Sequence, residues 1–266
     1  NYDLKVKIGR SVIYLAIKQE DVELTDYLLS KNISYDDILF DALTKNVDIF
    51  KTVLKYKNNP SFINRKTYDG TALYIAVKNY NIPVIEFLLS VPGIDINIFY
   101  NVNSHLSYNK LLEIAKLFTK NDKFNINTIL NDNGDSVLHL AILLDDLEFA
   151  DLILKNSNTD INMRNYNEKT PLVIAAQRNH ISIVDYILND KRFDAEESNF
   201  YYAFYCSKGE VLTHFASSKY FDANSYIPTI PLKSLEIDDS LLNKAIQKHD
   251  LDMIKIIIHH PSFDTE

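Results

Sequence analysis

The sequence predicts an all-α solenoid of stacked helix–turn–helix repeats joined by hairpin loops. Three observations lead there. An alanine closes the same short phrase again and again: S-V-I-Y-L-A at Ala16, T-A-L-Y-I-A at Ala76, S-V-L-H-L-A at Ala141 and T-P-L-V-I-A at Ala175. The interval is near-constant, Ala42 to Ala76 being the same distance along the chain as Ala141 to Ala175. A second apolar run follows each alanine at i, i+3, i+4 spacing, which is helical. Self-similarity at such a period marks an array of units, each burying its apolar face against the next.

Taken in chain order, the alanines divide the sequence into units near 8–33, 34–63, 67–97, 98–127, 132–162, 166–195, 196–224 and 237–266. The second is short, since Ala42 follows Ala16 at less than the usual interval, and its hairpin is expected to be lost. The third carries its outer helix in Val84, Ile85, Phe87, Leu88 and Leu89. The fourth keeps an outer helix (Leu111, Leu112, Ile114, Ala115, Leu117, Phe118), but its first helix, near Val102 to Tyr108, is poor. The fifth and sixth are the most regular, with outer runs Phe149 to Leu154 and Ile183 to Leu188. An insertion near 225–236, holding Pro228 and Pro231, precedes the last unit, anchored on Ala245. Several units end in an I/F-D/N-I-N tail: Ile94 to Asn97, Phe124 to Asn127, and Asp160-Ile161-Asn162.

Each residue type has a physical task. Alanine belongs where one first helix presses on its neighbour, because a larger side chain would overpack at a cost of roughly 1–3 kcal/mol. The Thr or Ser five residues earlier can cap free backbone N–H groups, and Pro171 suits the first helical position, where its missing N–H would be unpaired anyway. Gly70, Gly93 and Gly134 fit loop positions, and elsewhere Asn158, Asn167 and Asn179 are expected to take the left-handed backbone.

These phrases resemble the ankyrin repeat, whose signature is a T-P-L-H-x-A helix start followed by a second helix and a hairpin. Thr170 to Ala175 and Ser136 to Ala141 carry the match best. The resemblance implies that His139 is structural, bridging hydroxyl and backbone groups of neighbouring repeats. Tyr14, Tyr74 and Val173 stand at the same position elsewhere, so the histidine is replaceable and does not behave as a catalyst.

Composition bounds the partners. The net charge is −8 and no Lys/Arg cluster stands out, Lys5 and Lys7 being isolated. Nucleic acid and anionic membranes need a basic face, so both are excluded as expected partners. No run of about 18 apolar residues exists, so no membrane insertion is expected. A single cysteine, Cys206, precludes an intrachain disulfide and suits a reducing, cytoplasmic setting. Asn32-Ile33-Ser34 matches a glycosylation sequon. The first and last residues already read as parts of repeats, so the chain is expected to be the ordered core of something longer.

Chemistry is sparse. Cys206 with His214 eight residues on has the form of a thiol nucleophile pair, but Cys206 falls on the turn after a first helix and an inert thiol is the expectation. His259-His260 are adjacent, point in different directions and make no chelating pair; an exposed helix end is expected. With five glycines in all, no phosphate loop can be found. Asp145-Asp146 and Glu196-Glu197 read as solvated faces. No catalytic residue, metal or cofactor is expected.

By the resemblance, a partner would bind a concave face made of hairpin tips and the ends of first helices. The tips are Arg65, Lys66 and Tyr68, then Thr128, Leu130 and Asn131, then Met163, Arg164 and Tyr166. The helix ends are Lys18 and Gln19, Lys45, Lys78 and Asn79, Leu144, Gln177 and Arg178, and Gln247 and Lys248. Of these, Arg65, Lys66, Tyr68, Lys78, Asn79, Leu130, Leu144, Met163, Arg164, Tyr166, Gln177 and Arg178 form the expected partner-binding set. Leu144 would be an exposed apolar residue. The row is mildly basic, which implies an acidic surface on a partner protein. The sequence thus points to a non-enzymatic interaction scaffold. Two rivals are a structural component built into a cytoskeletal or other large assembly, and the targeting module of a longer enzyme.

Overall fold

The computed structural model describes residues 12–33, 38–43, 45–57, 59–96, 106–225 and 240–263. Regular structure among them is helical, and two isolated antiparallel bridges, Thr67 with Gly70 and Ile129 with Ser136, each close a hairpin tip. Residues 102–105 of the expected weak helix, 226–236 of the expected insertion, Asn97 and Ser34 lie outside the described residues. The chain divides into two compact units, Asn1–Phe124 and Asn125–Glu266.

The first unit holds α1 (12–18), α2 (Val22–Ser30), α3 (Ile38–Leu43), α4 (Val47–Tyr56), α5 (Pro60–Ile63), α6 (Ala72–Lys78), α7 (Ile82–Leu89) and α8 (Tyr108–Phe118). The second holds α9 (Val137–Leu143), α10 (Leu147–Lys155), α11 (Pro171–Gln177), α12 (Ile181–Asn189), α13 (Phe200–Cys206), α14 (Glu210–Ala216), α15 (Leu241–Gln247) and α16 (Leu251–His259). In the second unit the first helices stack in the order α9, α11, α13, α15, and the second helices stack as α10, α12, α14, α16. In the first, α2 packs on α4, α3 on α6, α4 on α7, and α7 on α8. Both are ankyrin-type stacks of helix pairs, each too short to bury its apolar stripe alone.

The recurring alanines are buried, as their role requires: Ala16, Ala42, Ala76, Ala141, Ala175, Ala203 and Ala245 all lie in the core. Their carbonyls have a second role. Five residues on, the backbone N–H of Asp21, Asn81, Asp146, His180 and Asp250 returns to the alanine oxygen at 2.9–3.1 Å, ending the first helix in a Schellman-type closure. That closure forces the residue four after the alanine into the left-handed region. Glu20, Tyr80, Asp145, Asn179 and His249 all sit there, at φ +54° to +60°. The sequence expectation holds for Asn179 and is corrected for Asn158 and Asn167, which are not left-handed. In the 165–169 turn, the Asn165 side chain accepts from the N–H of Asn167 and Lys169 at 3.0 Å, and the positive φ falls on Glu168 instead.

Caps follow the chemistry of the N-terminus. Thr71 and Thr170 accept from the third helical N–H with their hydroxyls, and Ser240 does the same for α15. The second helices use Asp or Asn: Asp21, Asn46, Asn81, Asp146 and Asp250 each accept from a backbone N–H of the first turn. Asp146 is therefore a cap and not a solvated bystander. The irregular pair α13–α14 replaces aliphatic filling with rings. Phe200 meets Phe215 edge-on at 5.3 Å, Phe204 lies 4.9 Å from Phe221, and Phe193 meets Tyr220 at 4.8 Å.

Neighbouring pairs are keyed together by side chains reaching backbone. Asn64, at the end of α5, donates to the Gly93 carbonyl at 2.8 Å and accepts from the Asp95 N–H at 2.9 Å. Asn127 repeats this with Asn158 and Asp160, both at 2.8 Å, and Asn162 with Arg192 at 2.7 Å and Asp194 at 3.1 Å. The tail asparagines are clamps, each filling both amide functions one repeat further on.

Candidate functional site

In the second unit the tips are built from a buried polar lattice. Asn131 donates to Asp135 at 2.8 Å, and Asn165 from the next tip donates to the other Asp135 oxygen at 2.7 Å. His139 lies beneath, fully buried. Its Nε2 stands 3.0 Å from the Lys169 carbonyl, which can only accept, so Nε2 carries the proton and Nδ1 accepts from the Ser136 hydroxyl at 2.8 Å. Burial holds this imidazole below its ordinary pKa, opposed by the Asp135 charge. The structural role implied by the resemblance is the one observed.

The lattice places Tyr166. Its N–H donates to the Asn133 carbonyl at 2.8 Å, and its ring lies over Gly134, where an added Cβ would come within 2.7 Å of it. Beside the ring runs a groove of about 490 Å³. Asn133, Asn167, Glu168 and Lys169 form its tip side; Leu143, Ile174, Gln177, Arg178 and Tyr202 form its helix side. Lys169 Nζ donates to Gln177 at 3.0 Å, and Gln177 donates to Cys206 Sγ at 3.5 Å, so a polar chain crosses the floor. The Tyr202 phenol is pushed up to about 12 by burial, with Cys206 adding to the shift.

Several expected residues meet here and others do not. Tyr166, Gln177 and Arg178 share the groove. Leu130 is corrected: it is fully buried, because its backbone N–H bonds to the Asp135 carbonyl and folds the side chain under the tip. Leu144 is half-buried, not an exposed apolar residue. Met163 is half-buried and does not line the groove. Arg164 is exposed but committed. Its guanidinium donates to the Glu197 carbonyl at 2.9 Å and the Glu196 carbonyl at 2.8 Å, and pairs with Glu168 at 3.4 Å. The Glu196-Glu197 segment is thus a docking point for the preceding repeat. Arg178 pairs with Asp145 at 3.2 Å, and His180 reaches the same carboxylate at 2.9 Å.

In the first unit, Arg65, Lys66, Tyr68, Lys78 and Asn79 are all exposed, Tyr68 completely. Asn133, Asn167, Glu168, Lys169 and Tyr202 escape the sequence reading. The signal was present in the period, since Asn133 and Asn167 stand one repeat interval apart on successive tips.

The nucleophile pattern dissolves. His214 Nδ1 lies 2.5 Å from Asp185 on the second-helix side, whereas Cys206 ends a first helix. His259 is exposed, but His260 is corrected: its Nε2 donates to the Ala216 carbonyl at 3.2 Å and its ring stacks edge-on to Phe221 at 4.8 Å. It repeats, at the end of the second helices, what His139 does at the start of the first.

Stacked helix pairs with keyed hairpin tips define the ankyrin repeat class. The family model for ankyrin repeats, in three copies, matches residues 104–199, and that stretch carries ankyrin repeats. It is similar to FPV022 of fowlpox virus (strain NVSL), named as an ankyrin repeat protein, with 27% identity over 186 residues covering 68% of this chain and 30% of that protein. It is also similar to a UPF0507 protein of Debaryomyces hansenii, with 26% identity over 236 residues covering 74% of this chain and 19% of that one. The chain spans less than a third of the length of either relative. Ankyrin repeats mediate protein–protein interaction, and no described helix is long and apolar enough to cross a membrane.

Proposed function

We propose that this chain is a non-enzymatic interaction scaffold of the cytoplasm that holds a segment of a partner protein in the groove beside Tyr166. One observation carries the reading. The exposed Tyr166 ring, the Tyr202 ring and the amides of Asn133, Asn167 and Gln177 converge on one concavity of about 490 Å³. Aromatic anchors ringed by hydrogen-bonding groups are the composition of a protein-binding surface. The groove is close to neutral, with Glu168 set against Lys169 and Arg178 already paired. An acidic partner surface therefore fits the first unit, where Arg65, Lys66, Tyr68 and Lys78 are exposed, better than it fits the groove.

The test compares the wild-type chain, Tyr166→Ala with Gln177→Ala, Lys66→Glu with Tyr68→Ala, and Lys255→Ala on the exposed side of α16. Each is used as bait in native cell extract, read by mass spectrometry at low and high salt. Loss of one partner from the groove variant alone, with the α16 variant unaffected, supports the reading. Equal yield from every variant sinks it. Filament subunits retained at high salt by all of them would favour the built-in structural role.

A further inference from the structure

Two successive interfaces between second helices follow one plan and are finished differently. The buried faces align Ile183, Val184, Ile187 and Leu188 of α12 with Phe149, Ala150, Ile153 and Leu154 of α10. They align Ile183, Val184 and Ile187 with Val211, Leu212 and Phe215 of α14. The turns that follow agree. The N–H of Asp190 donates to the Ile187 carbonyl and that of Phe193 to Asp190, as Ser218 does to Phe215 and Phe221 to Ser218, all at 3.1 Å. Tyr186 therefore answers to His214, Lys191 to Lys219 and Arg192 to Tyr220. At the first interface the Leu154 carbonyl receives two side chains of the next pair, the Tyr186 hydroxyl at 3.3 Å and the Arg192 guanidinium at 2.6 Å. At the second neither arrives. His214 is shorter than tyrosine and turns to Asp185 at 2.5 Å, while Tyr220 lays its ring edge-on to Phe193 at 4.8 Å. Among the described residues none donates to the carbonyl of Leu188, the counterpart of Leu154. A cavity of about 520 Å³ remains, with Asp185, Leu188, Asn189, His214, Ser218 and Lys219 in its walls.

We propose that the cavity between α12 and α14 is a seat for the guanidinium of an arginine side chain carried by a partner protein. The occupant follows from the chemistry of the walls. They offer acceptors: the Leu188 carbonyl at the end of α12, the Asp185 carboxylate, and the side-chain oxygen of Asn189, whose amide nitrogen already donates to the Asp185 carbonyl at 2.8 Å. A planar fork of five N–H donors meets several such acceptors at once, which a compact ammonium cannot do. The C-terminal end of a helix favours positive charge, and a chain of net charge −8 draws a cationic partner. Lys219 does not bar the seat. Its ammonium lies over the Tyr220 ring, 4.9 Å from the centroid, and its counterpart Lys191 adjoins the seated Arg192 at the first interface. The cavity shares no lining residue with the groove beside Tyr166, so either site can fail without the other.

The probe is N-acetyl-arginine amide, with N-acetyl-lysine amide beside it. Each is titrated into the isotope-labelled chain and followed by NMR at about 150 mM salt, where exposed charges are screened. The arginine derivative should give saturating shifts at the Asn189 side-chain amide and the Ser218 N–H, with a Kd on the order of a few millimolar. The lysine derivative should bind at least about tenfold more weakly. Asp185→Asn should weaken the arginine derivative at least about threefold. Because that change also removes the partner of His214, a second variant leaves the acceptors in place. His214→Tyr puts at this seat the ring that Tyr186 puts at the first interface, and should abolish binding in a chain whose circular dichroism matches the parent. No saturable shift up to about 50 mM overturns the proposal. Equal affinity for the two derivatives overturns it as well, and so does an arginine affinity unchanged in His214→Tyr, since the probe would then be held by charge elsewhere on the surface.

Discussion

Arg192 and Asp190 form a pair that locks one repeat to the end of the one before. The guanidinium meets the Asp190 carboxylate at 2.6 Å and, with its remaining N–H groups, donates to the Leu154 carbonyl at 2.6 Å, Asn156 at 2.8 Å and Thr159 at 3.1 Å. Leu154 and Asn156 stand at the end of α10, where the Leu154 carbonyl also accepts from the Tyr186 hydroxyl at 3.3 Å and the Asn156 carbonyl from the Thr159 N–H at 3.1 Å. The Arg192 guanidinium also holds the Asp190 carboxyl below its usual range.

Removing the Arg192 side chain therefore takes one donor from each of three carbonyls and leaves the nearly buried Asp190 carboxylate only the backbone N–H of residue 192, at 2.8 Å. Arg192→Ala should cost about 2–4 kcal/mol, read as a lower urea midpoint. Arg192→Lys should recover only part, since an ammonium cannot reproduce the planar fork. The depressed Asp190 pKa gives the sign of the pH effect. Its stabilisation is present above the ordinary carboxylate value of about 3.9 and is lost as pH falls through the lower folded value.

His139 contributes to the same acid limb, beginning at a higher pH. Both its nitrogens are used in the neutral form, so protonation would abolish the acceptor that Ser136 needs. Its folded pKa is lowered, so at high pH folded and unfolded chains carry the same neutral ring. As pH falls below about 6.5 the unfolded chain takes a proton that the folded chain refuses, and stability drops by up to about 1.4 kcal/mol per pH unit. Denaturation at pH 8 and pH 5 should show His139→Gln less stable at pH 8 but less sensitive to acid. Equal acid sensitivity in both proteins would mean that other groups carry the effect.

Asn162 tests the clamps. Its amide donates to the Arg192 carbonyl and accepts from the Asp194 N–H, and it also bonds the Ser198 hydroxyl. Asn162→Asp keeps the acceptor and removes the donor, so the loss should be about 1–3 kcal/mol. Amide exchange should quicken first at 192–199, one repeat away from the substitution.

Gly134 and Gly209 separate backbone strain from crowding. Both have positive φ, +77° and +56°. A Cβ at Gly134 would meet the ring and backbone N of Tyr166 at 2.7 Å, while one at Gly209 meets nothing within 4 Å. Gly209→Ala should cost about 1–3 kcal/mol from backbone strain alone, since φ +56° with ψ −132° lies outside the left-handed helical region, while Gly134→Ala should add about 1–3 kcal/mol of overpacking to its own strain. Only Gly134→Ala should also weaken partner binding, because it displaces the ring at the groove edge.

The helix pairs, the buried alanines and the hydroxyl caps were legible in the chain, because each rests on local spacing: a helical period, a cap three residues from its N–H, a phrase that recurs at a near-constant interval; the structural histidine was implied by the resemblance. Tyr166, Gln177 and Arg178, set on tips and helix ends by the resemblance, line one groove. How each polar side chain is used emerges only from the stacking. Arg164 and His260 read as free surface groups, yet their partners lie 32 to 44 residues away, on the neighbouring repeat. Glu20 and Tyr80 take a left-handed backbone that neither side chain favours, since the return of the chain to the alanine carbonyl outweighs a local cost of about 1 kcal/mol. Local spacing sets what a residue can do within its own turn; which neighbour it meets depends on how one repeat is set upon the next.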